Sequence, residues 1–144
     1  MAFYQKTGHR QGEAQLVAAS TVVSVGGVMA WDGNGNMTRA TSTTSHHVMV
    51  AGANKKSTDS DFATATLLTG AMLSPSAEFE CDNVAGTATA GMVGKSYDLT
   101  DSQTLNVAAQ VNRVFTITKY ISATKVWGRF NSSYQLTGGF GNNV

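Results

Sequence analysis

The chain has 144 residues, a net charge of +1 and only 13% charged residues. That length forms one domain whose core needs no metal and no disulfide, and with Cys81 as the single cysteine no intrachain disulfide can form. Without a Lys/Arg run beyond the pair Lys55-Lys56 the chain lacks the electrostatic footprint of a nucleic-acid binder, and without roughly 20 consecutive apolar residues it lacks a membrane-spanning helix.

Residues 1–14 read as an arm. Phe3 and Tyr4 are apolar, but Lys6 to Glu13 carries two glycines and no period. Such a segment is expected to stay outside the core, either ordering on a partner or fraying as a free end. Phe3, Tyr4, Lys6, His9 and Arg10 are its candidate contacts. The opening Met1-Ala2-Phe3-Tyr4-Gln5-Lys6 has no continuous apolar stretch and does not read as a secretion signal, so synthesis in the cytoplasm is expected.

Strands begin at Gln15. Gln15-Leu16-Val17-Ala18 and Thr21-Val22-Val23-Ser24 are short apolar runs. Gly27-Val28-Met29-Ala30-Trp31 leads into Asp32-Gly33-Asn34-Gly35-Asn36, a cluster that supplies the positive φ of a tight hairpin, and Asn36-Met37-Thr38-Arg39-Ala40 returns. His46 to Gly52 reads as a core strand, followed by a polar loop from Ala53 to Asp61. Phe62 to Leu68 reads as a strand because threonines alternate with Ala and Leu, and residues 69–76 are expected to turn at Gly70 and Pro75. Ala77, Phe79 and Cys81 share one strand face.

Thr87 to Gly94 reads as a short helical turn, and strands follow at Lys95 to Leu99 and Leu105 to Ala108. Val114 to Ile121 alternates strongly, turns at Ser122-Ala123-Thr124 and runs back as Lys125 to Phe130. There Val126, Gly128 and Phe130 lie on one face and Trp127 on the other. The tail is rich in Gly and Asn and holds Tyr134 and Phe140, which with Trp31 and Trp127 complete the candidate partner contacts. About nine short strands spaced roughly ten residues apart predict an all-β fold. The expectation is a small β-barrel or β-sandwich of short antiparallel strands over residues 15–133, with an extended N-terminal arm (1–14) and a C-terminal tail (134–144).

The chemical motifs fail one by one. Val93-Gly94-Lys95-Ser96 ends like a phosphate loop, but Thr89 stands where that motif needs Gly, and a strand follows. Asp32 to Asn36 offers oxygens at alternate positions, yet Met37 and Thr43 occupy the Gly and Glu positions of a calcium loop. His46 and His47 are adjacent and point to opposite faces of a strand, so they do not share one metal. Cys81 reads as a small core hydrophobe. Glu78 and Glu80 share a face, and Asp98 and Asp101 flank another strand, but no spacing marks a hydrolytic pair. Asn131-Ser132-Ser133 matches a glycosylation acceptor, idle without a secretion signal. No enzyme, metal or cofactor is expected.

Three runs carry a resemblance: Gly86 to Thr100, with Val93-Gly94-Lys95 ahead of a strand; Arg113 to Ile121; and Thr124 to Asn131, which closes on Phe-Asn. In texture and order, residues Ala77–Asn131 resemble the decoration (cement) proteins of tailed-bacteriophage capsids. The resemblance implies a structural virion protein, made in the host cytoplasm, that binds the outer capsid surface. Its implied partner is the major capsid protein, its implied state a homo-oligomer, a trimer foremost. A surface of short neutral side chains loses little entropy when buried, which suits that role. The alternative is a tail- or fibre-associated carbohydrate-binding module, with Trp31, Trp127 and Tyr134 stacking on sugars.

Overall fold

The computed structural model describes residues 2–7, 12–44, 47–74 and 76–131. Among these residues twelve strands follow in chain order: β1 (Phe3–Thr7), β2 (Gly12–Val17), β3 (Val28–Trp31), β4 (Met37–Arg39), β5 (His47–Ala51), β6 (Thr66–Met72), β7 (Glu78–Cys81), β8 (Val84–Ala85), β9 (Ser96–Asp101), β10 (Thr104–Asn106), β11 (Phe115–Ser122) and β12 (Lys125–Phe130). One 3-10 turn, Ala90–Met92, falls inside the helical turn expected at Thr87 to Gly94. The described residues hold no α-helix, and the fold is all-β as the sequence predicts.

Five strands close into a barrel in the order β2-β4-β3-β5-β6. The β3–β4 hairpin forms where expected. Asp32 Oδ1 accepts from the backbone N–H groups of Asn34 and Asn36 at 2.7 and 3.2 Å, and Gly33 and Gly35 take φ of 89° and 88°. Closure comes from β2, which pairs antiparallel with β6 from Gly12 to Val17 and meets β4 through one parallel pair, Val17↔Met37. Met29, Met37 and Met49 fill the interior with Val17, Val23, Val48 and Leu68.

The other seven strands form a sheet in the order β1-β7-β12-β11-β9-β10-β8. Its inner face packs Phe3, Phe79, Phe115, Ile117, Val126 and Phe130 against Val28, Ala30 and Val50 of the barrel wall. Strands β3 and β5 are therefore covered on both sides: Met29 and Met49 point into the barrel, and their neighbours Val28, Ala30 and Val50 point to the sheet. Backbone bonds tie the two units, from Phe3 N–H to Gly26 O at 3.1 Å and from Val28 N–H to Ser102 O at 2.8 Å.

Several expectations are corrected. Over Phe3–Thr7 the expected arm is instead the edge strand β1 of the sheet, with Phe3 at 0% exposure. Phe3 alternates with exposed Tyr4 and buried Gln5, but a bulge between Gln5 and Thr7 breaks the period after one repeat. Thr21 to Ser24 makes only the single bridge Val23↔Lys55 rather than a strand. The strand placed at Phe62 to Leu68 begins at Thr66 and continues through Gly70, where a turn was expected. Gly70 serves close approach instead, since a Cβ there would strike the Val50 carbonyl oxygen and the Met49 sulfur of β5. The two-residue strand β8 was not foreseen. Pro75 and the tail 134–144 lie outside the described residues.

Candidate functional site

The barrel covers one face of the seven-stranded sheet. The other face carries the candidate site, and register explains how it forms. Tyr4 of β1 lies opposite Glu80 of β7, Glu80 opposite Trp127 of β12, and Trp127 opposite Lys119 of β11. These four residues make one row across four strands. The next row, Phe3, Cys81 and Val126, points into the core because side chains alternate along each strand. Lys119 joins the outer row through a register shift between Ile117 and Lys119. In an unbroken strand it would share the inward side of Ile117; the bulge swings it out.

Charge and ring are locked together in this row. Trp127 Nε1 donates to Glu80 Oε2 at 3.0 Å. Lys6 Nζ stands 3.8 Å and Lys125 Nζ 3.9 Å from the same carboxylate. Lys6 Nζ also lies 4.7 Å from the Tyr4 ring centre and 5.3 Å from that of Trp127, and Lys119 Nζ lies 4.8 Å from the Trp127 ring. Partly exposed ion pairs of this kind contribute about 1 kcal/mol or less, so their effect is to orient the indole. Beside the row, Glu78 accepts from the hydroxyls of Thr7 and Thr118, and Ser96, Thr116 and Asn131 form a neutral hydrogen-bonded cluster.

The structure thus brings Tyr4, Lys6 and Trp127 together and leaves the other candidate contacts elsewhere. Phe3 is core, its ring 5.5 Å from Phe115 and 5.2 Å from Phe130, and is corrected from contact to scaffold. Trp31 packs against the barrel interior, apart from Trp127. His9, Arg10, Tyr134 and Phe140 lie outside the described residues. Sequence reasoning missed Glu80, Lys119 and Lys125 as members of one cluster. The alternation of Glu78 to Cys81 put Glu80 outward, but only strand order sets it beside Trp127.

Among the other reactive groups described, Cys81, His47 and Asp98 are buried. Cys81 is buried, and desolvation pushes its thiol up to about 12, far from a thiolate at neutral pH. His47 is buried with its ring 6.5 Å from Phe130, while His46 lies outside the described residues. Asp98 is buried and accepts from the backbone N–H groups of Val111, Asn112 and Arg113, holding the loop ahead of β11. Gly94 turns straight into β9, so no helix N-terminus is available to cradle a phosphate. Among the described residues no group of three His, Cys, Asp or Glu could hold a metal, and no helix is long and apolar enough to cross a membrane. A groove of about 520 Å³ between barrel and sheet is lined by Thr38, Arg39, Thr41, Thr100, Asp101 and Gln103, without an aromatic residue.

No family model matches the chain, and no curated protein matches it with significance.

Proposed function

We propose that this protein is a structural virion component that binds the outer surface of a tailed-phage capsid as a homo-oligomer, with the trimer as the expected state. It would bridge copies of the major capsid protein and perform no catalysis. The carrying observation is a sheet with one face committed to the barrel and the other presenting an ordered Trp127 cluster on four strands. The segment that resembles decoration proteins, Ala77–Asn131, supplies every strand of that sheet except β1. A ligand that binds only the assembled shell stabilises it by RT ln(1 + [L]/Kd) per site, and bridging several capsomers adds avidity.

Protein contact is favoured over sugar stacking. A sugar needs an open ring face, and two ammonium groups already stand over the Trp127 indole. Trp31, another candidate platform, is partly buried and packs against the barrel core cluster.

The test is co-sedimentation of purified protein with undecorated capsids, alongside the melting temperature of the shell. Saturable binding and a higher shell melting temperature are expected. Absence of the protein from purified virions would refute the reading.

A further inference from the structure

We propose that the Trp127 row is an acceptor for a carboxylate-rich segment of a partner protein, with Lys119 as its principal anchor. The inference rests on the reading that the outer sheet face docks, and adds the chemistry of what it docks.

The charge around Trp127 is unbalanced. Lys6, Lys119 and Lys125 converge on the row, and among the described residues Glu80 is its one carboxylate. Glu80 is shared three ways, by the indole N–H at 3.0 Å and by two ammonium groups at 3.8 and 3.9 Å. Charge-assisted N–H···O bonds run about 2.7–2.9 Å, so neither lysine is fully satisfied by it. Lys119 has no carboxylate within ion-pair distance among the described residues, and its ammonium stands over the indole of Trp127. An incoming carboxylate would find donors already held in place by that ring.

The rest of the surface narrows the ligand. Tyr4 is 40% exposed and Trp127 is part-buried, so the row offers aromatic body beside the cations, the composition of residues that dominate protein interfaces. A nucleic-acid strand would need a longer cationic track. Arg129 adds a cation at the next outward position of β12, but Glu78 and the neutral Ser96–Thr116–Asn131 cluster beside it interrupt any longer track. A short acidic loop or strand fits a patch of this size and sign.

Emission from Trp127 reports directly on the row. With Trp31→Phe removing the other indole, or with Trp127→Phe as the baseline should Trp31→Phe fail to fold, the protein is titrated with a ten-residue Glu-Ala repeat peptide. The Gln-Ala repeat and a ten-nucleotide thymidine oligomer serve as comparisons. A saturable emission change with the acidic peptide is expected. It should weaken about tenfold between low and moderate salt and about tenfold in Lys119→Glu, with the melting temperature of that variant unchanged. No response, equal affinity for the Gln peptide, or tighter binding of the oligonucleotide would overturn the proposal.

Capsid binding separates the two readings. If the wild type binds capsids and Lys119→Glu binds them equally, docking stands and the acidic-segment inference falls. If the peptide response holds and capsids are ignored, the acidic acceptor stands and its capsid partner falls.

Discussion

The two cores of this protein share a wall and are filled with different chemistry. Inside the barrel, Met29, Met37 and Met49 are fully buried; under the sheet, Phe3, Phe79, Phe115 and Phe130 meet with ring centres 5.0 to 5.5 Å apart. Methionine has three rotatable bonds and adapts to an irregular, closed space. Phenylalanine packs by edge and face, and such contacts are worth about 0.5–1.5 kcal/mol each beyond burial. The candidate site stands on the aromatic side. Its row of Tyr4, Glu80 and Trp127 sits on the same strands whose alternate residues are Phe3, Cys81 and Val126. A binding surface needs a stiff support, and the phenylalanine layer supplies it.

The contrast breaks most visibly at Phe130, whose ring meets Phe3, Phe79 and Phe115. Phe130→Ala is expected to lower stability by about 3–5 kcal/mol in urea unfolding. Removing residues 2–7 is expected to rank next, at roughly 2–4 kcal/mol, because Phe3 leaves the layer and β7 becomes an open edge. That deletion has a second readout, since Phe3 lies opposite buried Cys81: the thiol is expected to be silent toward a disulfide reagent in the intact protein and to react once residues 2–7 are gone. The barrel should respond more mildly. Met37→Leu conserves volume and is expected to cost less than about 1.5 kcal/mol, whereas Phe115→Leu forfeits two edge-on ring contacts and should cost more. Equal losses in calorimetry would show that the two cores are equally specific.

Legibility in the sequence followed the same division. Strand β12 could be read residue by residue, because it has one buried and one exposed face; Val126, Gly128 and Phe130 point in and Trp127 out as expected, whereas the alternation expected along β11 to Ile121 stops at Ile117, beyond which the bulge leaves Lys119, Tyr120 and Ile121 exposed. The hairpin at Asp32 to Asn36 was equally plain from its turn residues. Strand β5 is buried at all five positions, so its two-sided role between the cores leaves no alternation to find. Strand β1 hid its membership behind a bulge and a buried Gln5. At the site, Trp127 and Tyr4 were visible as candidates, but their meeting depends on β1, β7 and β12 lying side by side, a long-range order that no local pattern encodes. Asp98 shows the same limit: its carboxylate ties a loop 13 to 15 residues later in the chain.

An effect that is absent at neutral pH and grows only above pH 9 probes the seam between the phenylalanine layer and the outer row. Cys81 is raised from 9.0 to about 12, chiefly because burial disfavours the thiolate. An unfolded chain loses that proton near pH 9, while the folded chain holds it, so the folded state binds more protons across this window. Stability from this group is complete below pH 9 and drains away as pH rises toward 12, at roughly 1 kcal/mol per pH unit. Lysines and tyrosines titrate in the same range, so the informative quantity is a difference. The wild type minus Cys81→Ala, followed by urea unfolding from pH 8 to 11, should decline with pH. A flat difference would mean that the Cys81 environment is wetter than the layer around Phe3 and Phe79 implies, and that the aromatic support under Trp127 is looser than the ring geometry indicates.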